Sequence, residues 1–536
     1  MTAWRWWAGI AVGLLLVVAG AAADVAKAAH PARHDRKTWI LKPGKEAVEK
    51  AIDPVQYARD IVREETKKTT QPAQAVDALN WRALTTFQEG KRPLGLEIAR
   101  QTLEYAQKRL GPKHPATVAS LNNLAELYQA MGQYDLAEPL LERVLAVNET
   151  MYGNKHPDTL ASLNHLAALY QAQGRYDEAE RLLQRVVRNH EKVLGEKHPE
   201  TLASLNNLAA LYWGQGRYAE AERLLKQVVA GTEKKLGPKH PETLAALNSL
   251  AGLYQAQGRY NKAEPLLKQI LATNAKMLGP KHPDTLASLN NLAAFYQAQR
   301  RYREAERLLK GSLAGEENPQ ATAQPEMLTS LNSLAAAYQA QGRPKEAERL
   351  LKQTLAKQEK VLGEKHPATL TSLNNLAEFY QNQGRYKEAE ALYQRALAVS
   401  EKELGEKNPA TLNNLNNLAK LYQTQERYEE AAALYLRVLA TNEKELGPEH
   451  QYTLQSLKNL AELYQAQGQY GLAELYYQRM LAALERTSSE AHPDLVGVME
   501  NYAELLRKMD RGVEASELEA RAQALREKQP AGKPAG

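Results

Sequence analysis

HPDTLASLNHLAALYQAQGRYDEAERLLQRVVRNHEKVLGEK, residues 156–197, is the stretch whose reading decides the fold. Pro157 stands at a helix start, where the first turn leaves N–H groups without intrahelical acceptors and a missing one costs nothing. Leu163, Leu166, Ala167 and Tyr170 follow at helical spacing and mark one buried face. Gly174, free to adopt positive φ, ends this helix, A. A second helix, B, is expected from about Tyr176 to Val193, with Ala179, Leu182, Leu183, Val186 and Val187 turned inward. Leu194-Gly195 closes it. Such a hairpin has nothing of its own to cover its apolar stripe, so it requires neighbours.

The neighbours are present. His-Pro recurs at His114, His156, His198, His240, His282, His366 and His492, always on a 42-residue grid. Gln324-Pro325, Asn408-Pro409 and His450-Gln451 hold the remaining grid points. Extended backwards, the grid reaches Pro72 and a worn first unit with Asn80, Ala83 and Gly90 on repeat positions. Eleven units therefore fill 72–533 without insertion or deletion. The last has Tyr502 and Leu506 exchanged relative to the others and Asp510 in place of the turn Gly, as expected of a cap that faces water. Gly311, Gly315 and Pro319 disturb helix B of the sixth unit. They predict a bend or loosened interface at about 311–325, dividing the array into repeats 1–6 (72–323) and 7–11 (324–533), with a tail at 534–536.

The pattern Leu-x2-Leu-Ala-x2-Tyr, Gly-x-Tyr, Ala-x3-Leu, carried here by Leu163, Leu166, Ala167, Tyr170, Gly174, Tyr176, Ala179 and Leu183, resembles the tetratricopeptide signature. The usual period is about 34 residues; the longer form HPxTLxSLNNLAxLYxxQGRYxEAE is similar to the kinesin light chain subclass, which also occurs in bacterial proteins. The resemblance is confined to the repeats and implies no motor. It implies an all-α, right-handed superhelical solenoid of helix-turn-helix repeats. In that family helix A lines a concave groove that binds short peptide segments, and Asn of the groove contacts them.

Composition narrows the function. Of 536 residues, 43% are hydrophobic and 25% charged, which excludes both a disordered acidic chain and a polytopic membrane protein. With 69 basic against 63 acidic residues, the balance does not point to nucleic acid. Cysteine is absent, so disulfides, a Cys nucleophile and Cys-ligated metal are excluded. Arg5 precedes an apolar run from Trp6 to Ala23 that ends in Ala21-Ala22-Ala23. Residues 1–23 read as a signal peptide, giving a periplasmic or extracellular protein, or as an uncleaved anchor (6–23) that would be its one membrane contact. Residues 24–71 read as a linker with room for one short helix.

Beside its core stripe, helix A carries a small and polar stripe. Asn122, Asn164, Asn206, Asn248, Asn290, Asn332, Asn374 and Asn416 form one ladder along the array. A second contains Gln171, Gln255 and Gln297, and Trp213 takes the place of Gln in the fourth unit. Amides offer donor and acceptor together, as a peptide unit does. Two readings follow: a groove that grips an extended peptide by its backbone, or amides that bond across repeats and fix their register. Trp213, one unit from Gly252, reads as a single neutral substitution or as the wall of an aromatic pocket for one ligand side chain. The grid histidines read as helix caps, spaced too far apart to share an ion. Arg175, Arg217, Arg259, Arg301, Arg343, Arg385 and Arg427, each followed three residues on by Glu or Lys, read as a salt-bridged edge or as an anionic docking strip. No catalytic motif is present, and no catalytic residue, metal or cofactor is expected. The function expected is non-enzymatic binding of a protein or peptide in the groove. The alternatives are an architectural envelope protein that uses its convex face or ends, and an enzyme seated in 24–71 or 311–325.

Overall fold

The computed structural model describes residues 54–89, 91–313, 324–487 and 493–528, all within a unit that begins at Pro54. The expected signal peptide or anchor, most of the linker, the 314–323 connection and the tail lie outside the described residues. Among those described there are 23 α-helices and no strand. After a first helix, Pro54–Lys67, the helices fall into eleven consecutive hairpins on the 42-residue grid. In repeat 3, helix A is Pro157–Ala172 and helix B is Tyr176–Leu194.

Each hairpin is built by its sequence. His156 Nδ1 accepts the Asp158 N–H at 3.2 Å, so the grid histidine caps helix A. Asn408 takes the same role through Oδ1, accepting the Ala410 N–H at 2.9 Å. Thr159 Oγ1 donates to Gly153 O at 2.8 Å and ties each B-to-A connection to the next helix, a bond repeated at Thr201, Thr243, Thr285, Thr369 and Thr453.

Stacking is specified twice over. An apolar core runs from Ala125 to Leu525 through successive hairpins. Within it, buried polar pegs join helix B of one repeat to helix A of the next. Asn148 Nδ2 donates to Ser162 Oγ at 2.9 Å, Asn274 to Ser288 at 2.8 Å, and Asn414 to Ser400 at 2.9 Å. Satisfied polar pairs in a low-dielectric interface weaken any slipped register, which would leave them unpaired.

Two regions lie where the sequence departs from the repeat. Residues 54–67, placed in the linker, form a helix whose Ala58 and Ile61 are buried with Leu79, Ala83 and Ile98, so it covers the open flank of repeat 1. Helix B of repeat 6 is described over Tyr302–Leu313, and the 314–323 stretch that follows it lies outside the described residues. The repeats on either side of that stretch pack against each other. Helix A of repeat 6 (Pro283–Ala298) and helix A of repeat 7 (Pro325–Ala340) meet directly, and Leu292, Tyr296, Leu309, Leu334 and Tyr338 share one core.

Gly95 stands where other repeats have Ala, and the pattern invites Gly95→Ala. A Cβ there would meet Ala83 O and the Phe87 backbone at 2.8 Å. The exchange should therefore destabilise repeat 1 by about 1–3 kcal/mol despite the better helix propensity of Ala. Faster amide exchange across 72–110 checks it; unchanged or slower exchange would contradict it.

Candidate functional site

Helix A of repeat 3 exposes Ala161, His165, Ala168 and Ala172, while Asn164 and Gln171 are half-buried on the flank of that face. The same positions are small or neutral through repeat 7: Ala203, Ala245, Ala256, Ala298, Ala336 and Ala340 are exposed there. His165 and Glu126 expose area to solvent, yet desolvation lowers the imidazole pKa and raises that of the carboxyl. Each side chain thus touches water while the protein mass around it disfavours its charged form.

The amide ladder divides into two kinds of rung. Asn290 Nδ2 donates to Glu326 O at 2.9 Å, and its Oδ1 accepts from Ser330 Oγ at 2.7 Å. Gln297 Nε2 donates to Ser333 O at 2.8 Å, and Asn374 Nδ2 to Asn414 Oδ1 at 2.7 Å. These rungs bond across repeats. By contrast, the shielded Oδ1 atoms of Asn122, Asn164 and Asn416 have no donor among the described residues. Asn206, Asn332, Gln171 and Gln255 also make no side-chain hydrogen bond there, and Asn248 has only a 3.5 Å contact from Asn291.

Trp213 does not wall a pocket. A Cβ on Gly252 would lie 2.9 Å from its Cη2, so the indole itself fills the space that the missing side chain leaves. A cleft of about 280 Å³ lies further along the array, lined by Glu462, Gln465, Tyr477, Asn501, Glu504 and Lys508. From repeat 8 onward the exposed face turns charged, with Glu378, Lys420, Glu462 and Glu504. Tyr393, Tyr435 and Tyr477 replace the Leu of the Ala-x3-Leu pattern. Burial pushes the Tyr477 hydroxyl up to about 12, with Glu462 and Glu504 adding to it. That Tyr-for-Leu exchange was the available sequence signal for a polar groove floor.

The arginine row is an inter-repeat clamp. Arg175 Nη1 donates to Glu138 of the preceding repeat at 2.7 Å while its Nε donates to Glu178 at 2.6 Å, and its guanidinium stacks 4.1 Å from the Tyr170 ring centroid. The Arg–Glu bond to the preceding repeat recurs at Arg301–Glu264, Arg385–Glu348, Arg427–Glu390 and Arg511–Glu474. The same Glu accepts the hydroxyl of the next repeat's Tyr, as from Tyr254 to Glu222 and from Tyr296 to Glu264, both at 3.1 Å. A row spent this way leaves little charge for an anionic strip. The Glu 37 residues before each Arg was the partner that single-repeat reading missed.

A repeating two-helix hairpin with a continuous core, a clamp at each junction and a small-residue inner face defines a helical-repeat scaffold. Tetratricopeptide repeat models match residues 74–150, 158–234, 229–276, 242–315, 369–444 and 425–486, with further matches at 122–193 and 327–368. The chain belongs to the tetratricopeptide repeat family, whose arrays act as protein–protein interaction scaffolds. Its solved neighbours include kinesin-light-chain-like members of that family. One is a putative kinesin light chain from Podosopora anserina with nearly identical repeats, 38% identical, covering 39% of this chain and 98% of that one, at a TM-score of 0.35. Another is BtubC (BKLC) from P. vanneervenii, 22% identical, covering 46% and 94%, at 0.36. No curated protein matches the chain.

The clamp carries a pH dependence. Hydrogen bonds from Arg259, Arg301 and Arg385 hold Glu222, Glu264 and Glu348 down at about 2 in the folded array. A depressed carboxylate pKa gives stability that is complete above about pH 4.5 and is lost as pH falls through about 2. Replacing the three with Gln should lower stability at pH 7 by about 1 kcal/mol each and flatten the fall in thermal midpoint between pH 4.5 and 2. Circular-dichroism melts across that range test it; a slope equal to the parent's would remove the clamp as its source.

Proposed function

We propose that the helix-A face of repeats 2–9 binds an extended peptide or partner loop, without catalysis. The observation that carries this is the coincidence of a small-residue face with flanking amides that have hydrogen-bonding capacity to spare: Asn122 and Asn164, whose Oδ1 atoms have no donor among the described residues, Asn206, and Asn248 with only a 3.5 Å contact from Asn291. Packed helices lie about 8–10 Å apart and an extended strand rises about 3.3 Å per residue, so one rung meets roughly every third residue. Ala and Gly let the strand's backbone approach, and the amides match its N–H and C=O groups. The charged rungs from Glu378 to Glu504 would select side chains at one end of the ligand.

The apolar run at Trp6–Ala23 supports export, which places the partner in the envelope or outside the cell. No helix of the described residues is long and apolar enough to cross a membrane. An enzyme would need a site that breaks the repeat, and a surface this periodic offers little asymmetry for one. The architectural reading is favoured at repeats 6–7, where Asn290 and Gln297 are spent on the neighbouring helix, and at repeats 8–9, where Asn374 donates to Asn414.

The two kinds of rung separate the readings. A peptide selected from a displayed random library against the whole chain should bind at least tenfold more weakly to Asn206→Ala/Asn248→Ala, whose melting temperature stays at the parent value. Asn290→Ala should instead cost about 1–2 kcal/mol of stability, since it strands two polar partners. Unchanged affinity in the first variant, or a fall in its stability equal to that of the second, would overturn the groove reading.

A further inference from the structure

One contact links residues 320 positions apart. His450 caps helix A of repeat 10 (Gln451–Ala466), its Nδ1 accepting the Tyr452 N–H at 3.1 Å. Its Nε2 lies 3.1 Å from Ala130 O at the end of helix A of repeat 2. With Nδ1 accepting, Nε2 carries the proton and donates it to that carbonyl. Gly132 is part of the same seam: a Cβ there would stand 3.4 Å from His450 Cα. Helix B of repeat 9 (Tyr428–Leu446) also packs against helix B of repeat 1 (Arg92–Leu110).

The sequence departs from the repeat on both sides of this seam. Met131, only 6% exposed, replaces the Gln of the later repeats, and Gln133 replaces the clamp arginine. Gln451 replaces the grid proline. Leu446 is 2% exposed, whereas its counterparts Leu194, Leu278 and Leu404 are 36%, 42% and 37% exposed. Glu445 is buried beside it and paired with Lys407 at 2.6 Å.

The ribbon of hairpins has two edges. One carries the turns from A to B, the other the connections from B to the next A. The seam joins a turn of the first edge, in repeat 2, to a connection of the second, between repeats 9 and 10. Successive windings of the ribbon thereby touch edge to edge at this point.

We infer that this seam is a releasable closure, held by His450 on Ala130, which controls lateral entry to the groove. The gating role rests on the groove reading above; the closure does not. The imidazole has no room for a second proton. Adding one at Nδ1 removes the helix cap, and Arg92 is the cation that faces it, with Glu445, Lys407 and Tyr452 the other ionisable groups of the seam. Burial, offset in part by the Ala130 bond, lowers its pKa to about 4. Released into water it would titrate at about 6.5. The depressed value means that closure is fully favoured above about pH 6.5, weakens as pH falls from there towards 4, and is weakest below about 4. Between pH 7.5 and 5 the balance should shift about thirtyfold towards the open form.

The chain has no cysteine, so spin labels can be placed uniquely on Gln133→Cys and Pro448→Cys in the full chain. At pH 7.5 double electron–electron resonance should give one short-distance population. At pH 5, and in His450→Asn at either pH, a longer population should appear while the helical circular dichroism stays unchanged. Asn keeps the cap, as Asn408 does, but lacks the reach to Ala130. His366→Asn, the same exchange at a cap away from the seam, should leave the distances as in the parent. Identical distances in all samples, or equal changes in both His variants, would overturn the closure. In His450→Asn the library-selected peptide should associate faster; an unchanged association rate beside a changed distance would overturn the gating role. Distances that shift while no peptide binds any variant would uphold the closure and remove only the groove reading.

Discussion

The clamp between repeats is the constraint on which the array depends. A single hairpin leaves one flank of its apolar stripe open, and stacking alone would permit sliding. At each clamped junction a Glu on helix B binds the Arg, and at most of them also the Tyr hydroxyl, of the next repeat, as Glu264 does with Arg301 and Tyr296. The geometry is charge-assisted and largely shielded, which makes it directional where burial is not. The guanidinium also covers the Tyr ring, so polar and apolar contacts favour the same register.

That register is what aligns the inner face. Because each A helix is held at a fixed angle to the last, identical positions fall into line, and Ala168, Ala210 and Ala336 become one surface although they are far apart in sequence. The array is not uniform, however. Repeats 3–7 present small neutral side chains, whereas repeats 8–11 add carboxylates, lysines and Tyr hydroxyls. A scaffold of this kind holds its specificity in such departures from the repeat, since the repeated part is common to every unit.

Much was legible in advance. Periodicity located every hairpin, and the His-Pro grid placed the helix caps where His156 and His282 have them. Other features were not legible, for identifiable reasons. Glu180 reads as a solvated helix position until the next repeat brings Arg217 onto it, because a 37-residue separation is invisible to any local pattern. Gly252 beside Trp213 reads as a pocket, and only coordinates reveal that the indole has filled it. The ladder amides look equivalent in sequence, yet Asn290 and the Nδ2 of Asn374 are spent and Asn164 Oδ1 is not, because the groups that would occupy each amide lie on the next repeat.

The sequence by itself determined the hairpin, its length, its caps and the direction of its buried stripe, because these follow from contacts within 42 residues. Only the tertiary structure decided which of many equivalent residues are occupied and where the ribbon meets itself. His450 and Ala130 are neighbours because small rotations accumulate over many junctions, and no single repeat contains that sum.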